Sequence, residues 1–215
     1  MSEIPEAGGG PLRGESERPA TPRPAATVIL LRRGGKHRDR DLEVCLVQRN
    51  PGARFMPGVW VFPGGALDPG DGEGEPGHRA CAARELAEEA RVEVEPDELV
   101  PYSRWITPRV VPIRFDTRFY LALAPPHAPL WPDGSETVDA AWFAPRRALD
   151  LHGEGELSLV FPTIKHLESL LPFANADKAL ETARRREVKP VEPRVVGEGD
   201  ERRIVIPGES GPDEG

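Results

Sequence analysis

The chain has 215 residues, a formal net charge of -8, 25 prolines, 22 glycines and 2 cysteines. That acidic balance argues against broad nucleic-acid affinity, which depends on positive charge accumulated against the phosphate backbone. No stretch approaches the roughly 20 apolar residues of a membrane span and no secretory apolar run is present, so a soluble, cytoplasmic protein is expected, touching neither nucleic acid nor membrane.

Residues 1–24 are rich in Gly, Pro, Glu and Ser and lack apolar periodicity, which predicts a disordered tail. Strands are expected from Ala25 to Leu31 and from Leu42 to Gln48, joined through the basic linker 32–40 as a hairpin. Val59 to Phe62 is a short strand that delivers the pair Gly64-Gly65, and after an acidic loop a helix runs from about His78 to Arg91. Leu99 to Ile106 and Arg114 to Leu123 read as strands; in the second, Thr117, Phe119, Leu121 and Leu123 alternate against Arg118, Tyr120 and Ala122. Ala140 to Phe143 supplies another strand, ahead of a short helix near Arg146 to Leu151. Helical spacing returns in Pro162 to Leu171, with Leu167, Leu170 and Leu171 on one face, and in Ala174 to Arg185. Val191 to Ile206 reads as a terminal hairpin turning at Gly197-Glu198-Gly199-Asp200. The organisation expected is a tail over 1–24, one domain over 25–186 and an extension over 187–215. Mixed strands with intervening helices imply an α/β fold, its central mixed sheet covered on both faces.

The densest chemistry lies between Phe62 and Val92. At about 100° per residue, Glu85, Glu88 and Glu89 share one helical face, while Ala83, Leu86 and Ala90 form an apolar stripe opposite, with Ala82 at its edge. Alone, such an acidic face is commonly a solvated surface. Beside a glycine pair, the clustered carboxylates suit a hard divalent cation, because Mg²⁺ takes oxygen ligands and bridges carboxylates to substrate phosphates. Cys45 and Cys81 have no metal-binding spacing and read as buried, reduced thiols, and the five histidines are scattered.

Gly65, Asp71, Arg84, Glu85, Leu86, Glu88, Glu89 and Val92 together resemble the signature of the Nudix hydrolase superfamily, G-x5-E-x7-R-E-U-x-E-E-x-G-U with U aliphatic. Three positions depart from it. Asp71 stands for the first Glu, twelve residues instead of seven separate it from Arg84, and Arg91 replaces the glycine that would close the helix in a left-handed conformation. The excess lies in Gly72-Glu73-Gly74-Glu75-Pro76-Gly77, which has the composition of a flexible loop, and loop closure grows only slowly more costly with length.

The resemblance implies a Nudix-type α/β/α sandwich that uses Mg²⁺ or Mn²⁺ to cut a diphosphate. Carried over by position, Gly65 would lend its carbonyl, Glu88 and Glu89 would be the principal metal ligands, Glu85 a ligand or supporting acid, and Arg84 the residue that orients Glu85. Family members recruit the general base from different places; here Glu136, in Asp133-Gly134-Ser135-Glu136, is the candidate for that role or for an extra ligand.

Outside the signature, Gln48 to Gly58, Val61 to Gly65, Trp105 to Pro108 and Arg114 to Phe119 resemble the subgroup that includes the peroxisomal coenzyme A diphosphatase branch. That resemblance implies coenzyme A or its acyl esters as the small-molecule nucleoside diphosphate derivative. ADP-ribose, NADH and dinucleoside polyphosphates are alternatives, as is a nucleotide-binding module without catalysis or an interaction domain using its Pro-rich tails. Arg49, Arg54, Arg109, Arg114 and Arg118 are available to meet phosphates. Phe55, Tyr102 and Trp105 are available to stack on adenine or line an acyl groove, whereas Trp60, inside an apolar run, is expected in the core. A homodimer is left open.

Overall fold

The computed structural model describes residues 19–33, 42–53, 56–197 and 203–207. The tail 1–18, most of the basic linker, Arg54 and Phe55, and the tip of the terminal hairpin lie outside the described residues.

The fold is organised by β1 (Arg23–Arg33), whose residues from Ala25 to Leu31 are all buried. Its apolar run is continuous, as expected of a strand covered on both faces. Along one edge it pairs in parallel with β6 (Phe115–Leu123) from Arg23 to Leu31. The other edge is shared. Leu31 to Arg33 meet β2 (Leu42–Arg49), and Ala25 to Thr27 meet β4 (Gly64–Ala66), both antiparallel. With β3 (Trp60–Val61), β5 (Val100–Ile106), β7 (Thr137–Phe143) and β8 (Pro190–Val191), the sheet has the order β3-β2-β1-β6-β5-β8, β4 joining β1 and β7 joining β2.

The helix α1 (Gly74–Ala90) covers one face, packing Cys81, Ala82, Leu86 and Ala90 against Ala26, Val28, Leu30, Val47, Tyr120 and Ala122. On the other face α2 (Pro145–Gly153), α3 (Phe161–Leu170) and α4 (Ala176–Arg184) enclose Ile29, Leu31, Val44, Phe119 and Leu121. The alternation expected along β6 therefore divides its residues between two cores. This is an α/β fold with a central mixed sheet between helical layers.

Three features differ from the sequence expectation. The pair Gly64-Gly65 forms a strand of its own beyond the one expected over Val59 to Phe62, because its backbone pairs with Ala26 and Thr27 of β1. Next, α1 begins at Gly74, inside the stretch expected to be loop. Pro76 lies in the first helical turn, where a missing N–H loses no hydrogen bond, and a Cβ on Gly77 would overlap the Gly72 carbonyl. Finally, Val191 pairs with Trp105 as part of β8, and the antiparallel hairpin is confined to β9 (Arg194–Val196) and β10 (Arg203–Val205). At the end of α1, Arg91 adopts φ 56°, ψ 34°, a left-handed conformation that costs a non-glycine residue about 1–2 kcal/mol. No helix among the described residues is long and apolar enough to cross a membrane.

Candidate active site

Pairing of β4 with β1 brings the glycine strand under α1. The Gly64 N–H donates to Glu89 Oε2 at 2.9 Å, and a Cβ on Gly65 would collide with the Glu85 carboxylate. Glycine at 65 is thus required by a close approach rather than by a turn. The Gly65 carbonyl also accepts a weak bond from Cys81 Sγ at 3.7 Å.

Glu89 is only 3% exposed although it is an acid, while the side chains of Glu85 and Glu88 are 13% and 59% exposed. Burial pushes the Glu89 carboxyl up to about 8, against the Gly64 hydrogen bond and the nearby positive charge of Arg49; the charges of Glu85 and Glu136 push the same way as burial. Glu85 is raised as well, first by burial, opposed by Arg84 and assisted by Glu88 and Glu136. Glu136 is exposed, and its charge reaches both helix acids from the loop before β7. Glu85 and Glu89 therefore lie against the glycine strand β4, with Glu88 one turn along α1 and more exposed.

Arg84 is the hub beneath them. Its Nε and Nη2 donate to Asp71 Oδ1 and Oδ2 at 3.0 and 2.9 Å, and its Nη1 donates to Glu85 Oε1 at 2.9 Å and Glu88 Oε2 at 3.1 Å. Asp71 lies well below the usual carboxylate range, held there first by the Arg84 hydrogen bonds.

An all-oxygen, strongly anionic set suits Mg²⁺ or Mn²⁺. Among the described residues no three His, Cys, Asp or Glu side chains are grouped so as to hold a metal ion as they stand. Glu85 and Glu88 lean toward Arg84, and Glu89 is held by Gly64. The donors fit a divalent ion in chemistry and charge, and Glu85 and Glu88 must turn away from Arg84 to surround one.

The structure thus brings together Gly65, Arg84, Glu85, Glu88, Glu89, Glu136 and Arg49. Two arginines expected to contact substrate are engaged elsewhere, and their assignment is corrected. Arg114 is 6% exposed and donates to the Thr107 and Ala20 carbonyls at 2.9 and 2.8 Å and to Glu192 at 2.7 Å, which makes it a clamp between chain segments. Arg118 pairs with Glu75, which also receives Tyr120 Oη at 3.2 Å and Arg79 Nε at 3.1 Å, so it anchors the start of α1. Arg109 reaches Glu192 at 3.4 Å. Trp60 is in the core, edge-on to Phe143. Tyr102 and Trp105 line a cavity of about 390 Å³ with Lys165, His166 and Arg186, across the sheet from the acids.

The sequence reading gave no structural role to Asp133, Thr137 or Asn50, which build the loop carrying Glu136. Asp133 sits in the quoted Asp-Gly-Ser-Glu stretch, whose turn composition was its one signal.

A model of the NUDIX domain matches residues 21–161, more than half of the chain. The chain belongs to the NUDIX family, the class that the glycine strand, the acid-bearing helix and the mixed sheet define. Among solved structures it is similar to a NUDIX hydrolase from Alicyclobacillus acidocaldarius, with 30% identity, TM-score 0.63, and coverage of 75% of this chain and 96% of that one. The fold is shared with the NUDIX domain of Shewanella oneidensis NrtR, solved with ADP ribose, at 19% identity and TM-score 0.54, covering 71% of this chain and 88% of that one. A Caenorhabditis elegans protein provisionally named nudix hydrolase 7 is 27% identical over 183 residues, 69% of this chain; the match spans 60% of that relative's length.

Proposed function

We propose that the protein is a metal-dependent pyrophosphohydrolase that cleaves the diphosphate of a nucleoside diphosphate joined to another moiety, with coenzyme A or an acyl-coenzyme A as the preferred substrate. The observation that carries this reading is the pair of buried acids on the glycine strand: Glu89, held by the Gly64 N–H, and Glu85, whose carboxylate lies against Gly65. Burial and mutual repulsion make that arrangement unfavourable for an unliganded protein, and a bound dication would relieve it.

Gly65 through its carbonyl, with Glu85, Glu88 and Glu89, would hold Mg²⁺ or Mn²⁺. Such ions neutralise diphosphate oxygens and lower the pKa of water. Arg84, fixed by Asp71, steers Glu85 and Glu88. Arg49, beside Glu89 at the end of β2, faces the incoming phosphates. Glu136 accepts a proton from the attacking water as its oxygen bonds to phosphorus and the bridging P–O bond breaks, releasing two phosphorylated products. The preference for coenzyme A is supported by the resemblance of residues 48–58, 61–65, 105–108 and 114–119 to that subgroup; Arg54 and Phe55 of the first stretch contact the substrate in this reading.

The test is a panel of coenzyme A, acetyl-coenzyme A, ADP-ribose, NADH and dinucleoside tetraphosphate with Mg²⁺ or Mn²⁺, products identified by mass. Cleavage of coenzyme A to 4'-phosphopantetheine and adenosine 3',5'-bisphosphate, faster than the others, is expected. Faster cleavage of another compound reassigns the substrate. Binding of these compounds without cleavage of any replaces the enzyme reading with a nucleotide-binding module.

A further inference from the structure

Glu136 is exposed, on a loop, and long enough to point almost anywhere, yet its charge bears on both Glu85 and Glu89. A base that must meet one water at one phosphorus needs its backbone fixed, since a misplacement of about 1 Å can lower turnover about 100-fold. Besides a turn bond from the Gly134 N–H to the Thr137 carbonyl at 2.8 Å, the loop is organised by one side chain. Asp133 Oδ1 accepts the Ser135 and Glu136 N–H groups at 2.5 and 2.7 Å and the Ser135 hydroxyl, while Oδ2 accepts the Thr137 N–H and Oγ1–H at 2.9 and 2.8 Å. Four groups of Ser135 and Thr137, the two residues flanking Glu136, and the N–H of Glu136 itself converge on one carboxylate.

Contacts beyond the loop fix its orientation. Thr137, fully buried, lies 3.1 Å through Oγ1 from the carbonyl of Glu89, the helix acid next to the site. From the far side the Asn50 N–H donates to the Glu136 carbonyl at 2.8 Å and Asn50 Nδ2 to the Ser135 carbonyl at 2.7 Å. The loop is pinned to the end of β2 by Asn50 and packs beside α1 through Thr137, whose single hydroxyl proton is shared between Asp133 and the Glu89 carbonyl.

We propose that Asp133 is a positioning residue that acts through Glu136, holding its backbone in place beside the Glu89 end of α1. The inference rests on the role given to Glu136 above. Burial opposes ionisation of Asp133, the largest single influence, but the hydrogen bonds from Ser135, Glu136 and Thr137 outweigh it and keep the acid far below the usual carboxylate range, so the knot stays tied throughout the neutral range.

The experiment is a double-mutant cycle of Asp133→Ala and Glu136→Gln, with turnover of coenzyme A and of ADP-ribose under Mg²⁺, and amide hydrogen exchange at residues 135–137 without metal. Each single variant is expected to lower kcat by 30-fold or more with KM changed less than threefold, and Asp133→Ala in the Glu136→Gln background to change kcat less than threefold. Exchange at 136 and 137 should speed at least tenfold in Asp133→Ala and stay unchanged in Glu136→Gln. Asp133→Asn, which keeps one acceptor oxygen, should recover part of kcat and separates this effect from a general loss of fold. Equal losses on adding Asp133→Ala in both backgrounds, or unchanged exchange, overturn the positioning role and leave Glu136 in place. Full activity of Glu136→Gln overturns the role of Glu136, and with it this inference.

Discussion

Asp71 and Arg84, thirteen positions apart, meet in a two-pronged ion pair of 3.0 and 2.9 Å. The pair survives the six-residue stretch 72–77 because that stretch is taken up by a turn and by the first turn of α1, leaving Asp71 against the middle of the helix. Its carboxylate is only 6% exposed. A shorter acid suffices here because a planar guanidinium donates to both oxygens of any carboxylate brought into its plane. Asp71→Ala should therefore lower unfolding free energy by about 1–3 kcal/mol, the cost of stranding partly buried donors. Turnover should fall about 10–100-fold, as for other residues that support a ligand. Denaturant melts and steady-state kinetics check both, and unchanged turnover would show that Arg84 needs no anchor.

The two strand glycines should fail in different ways. A Cβ at Gly65 meets the free end of the Glu85 side chain, which can swing aside. Gly65→Ala should then cost about 1 kcal/mol of stability or less, but about 100-fold in kcat, through displacement of one acid. A Cβ at Gly64 meets Thr27 and the Ala26 backbone across the β1–β4 pairing, where neither can yield. Gly64→Ala should cost about 3 kcal/mol or more. Thermal melts alongside kinetics distinguish an enzyme that folds and cannot turn over from one that does not fold.

Glu89→Gln replaces an acid whose ionisation burial opposes, while preserving an oxygen to accept the Gly64 N–H. The fold should be kept, with a melting temperature close to that of the parent without metal, because the neutral amide matches the protonated carboxyl in shape and polarity. Turnover should drop by more than the roughly 10–100-fold typical of outer-shell partners, since the lost charge faces the proposed ion. Mn²⁺ affinity measured by electron paramagnetic resonance should fall in parallel; undiminished affinity would remove Glu89 from the ligand set.

What could be read from the sequence was local. The run of β1, the alternation of β6 and the acidic face of α1 are patterns of neighbours in the chain, and each reappears in the fold. Gly64 and Gly65 could not be read as a strand, because glycine has little strand preference of its own and the pairing with Ala26 and Thr27 is a tertiary event. The same holds for the arginines. Arg114 finds Glu192 78 positions away and Arg118 finds Glu75 43 positions away, so guanidiniums that look available in sequence are already committed in space. The knot around Asp133 is local, but its purpose depends on Glu89 and Asn50, which only folding brings alongside.

His166 gives the fold a pH dependence separate from the acid site. It is 2% exposed, stacks on Phe119 with ring centroids 4.1 Å apart, and bonds through Nδ1 to the Pro162 carbonyl and through Nε2 to Ser103 Oγ, each at 2.6 Å. A carbonyl only accepts, so Nδ1 carries the proton and Nε2 accepts from the serine, which describes a neutral ring. Burial, against the Pro162 hydrogen bond and with some help from Arg186, pushes its pKa down to about 4 from the usual 6.5. The unfolded chain therefore binds a proton at a pH where the folded one does not. This contribution to stability is complete above about pH 6.5 and is lost as pH falls toward 4, about 2 kcal/mol by pH 5 and about 3 kcal/mol in full. His166→Gln should lower stability at pH 7 through lost stacking, yet lose less on going from pH 7 to 5 than the parent does. Urea unfolding at the two pH values measures the difference, and equal losses in both proteins would show that the buried ring is protonated in the native state.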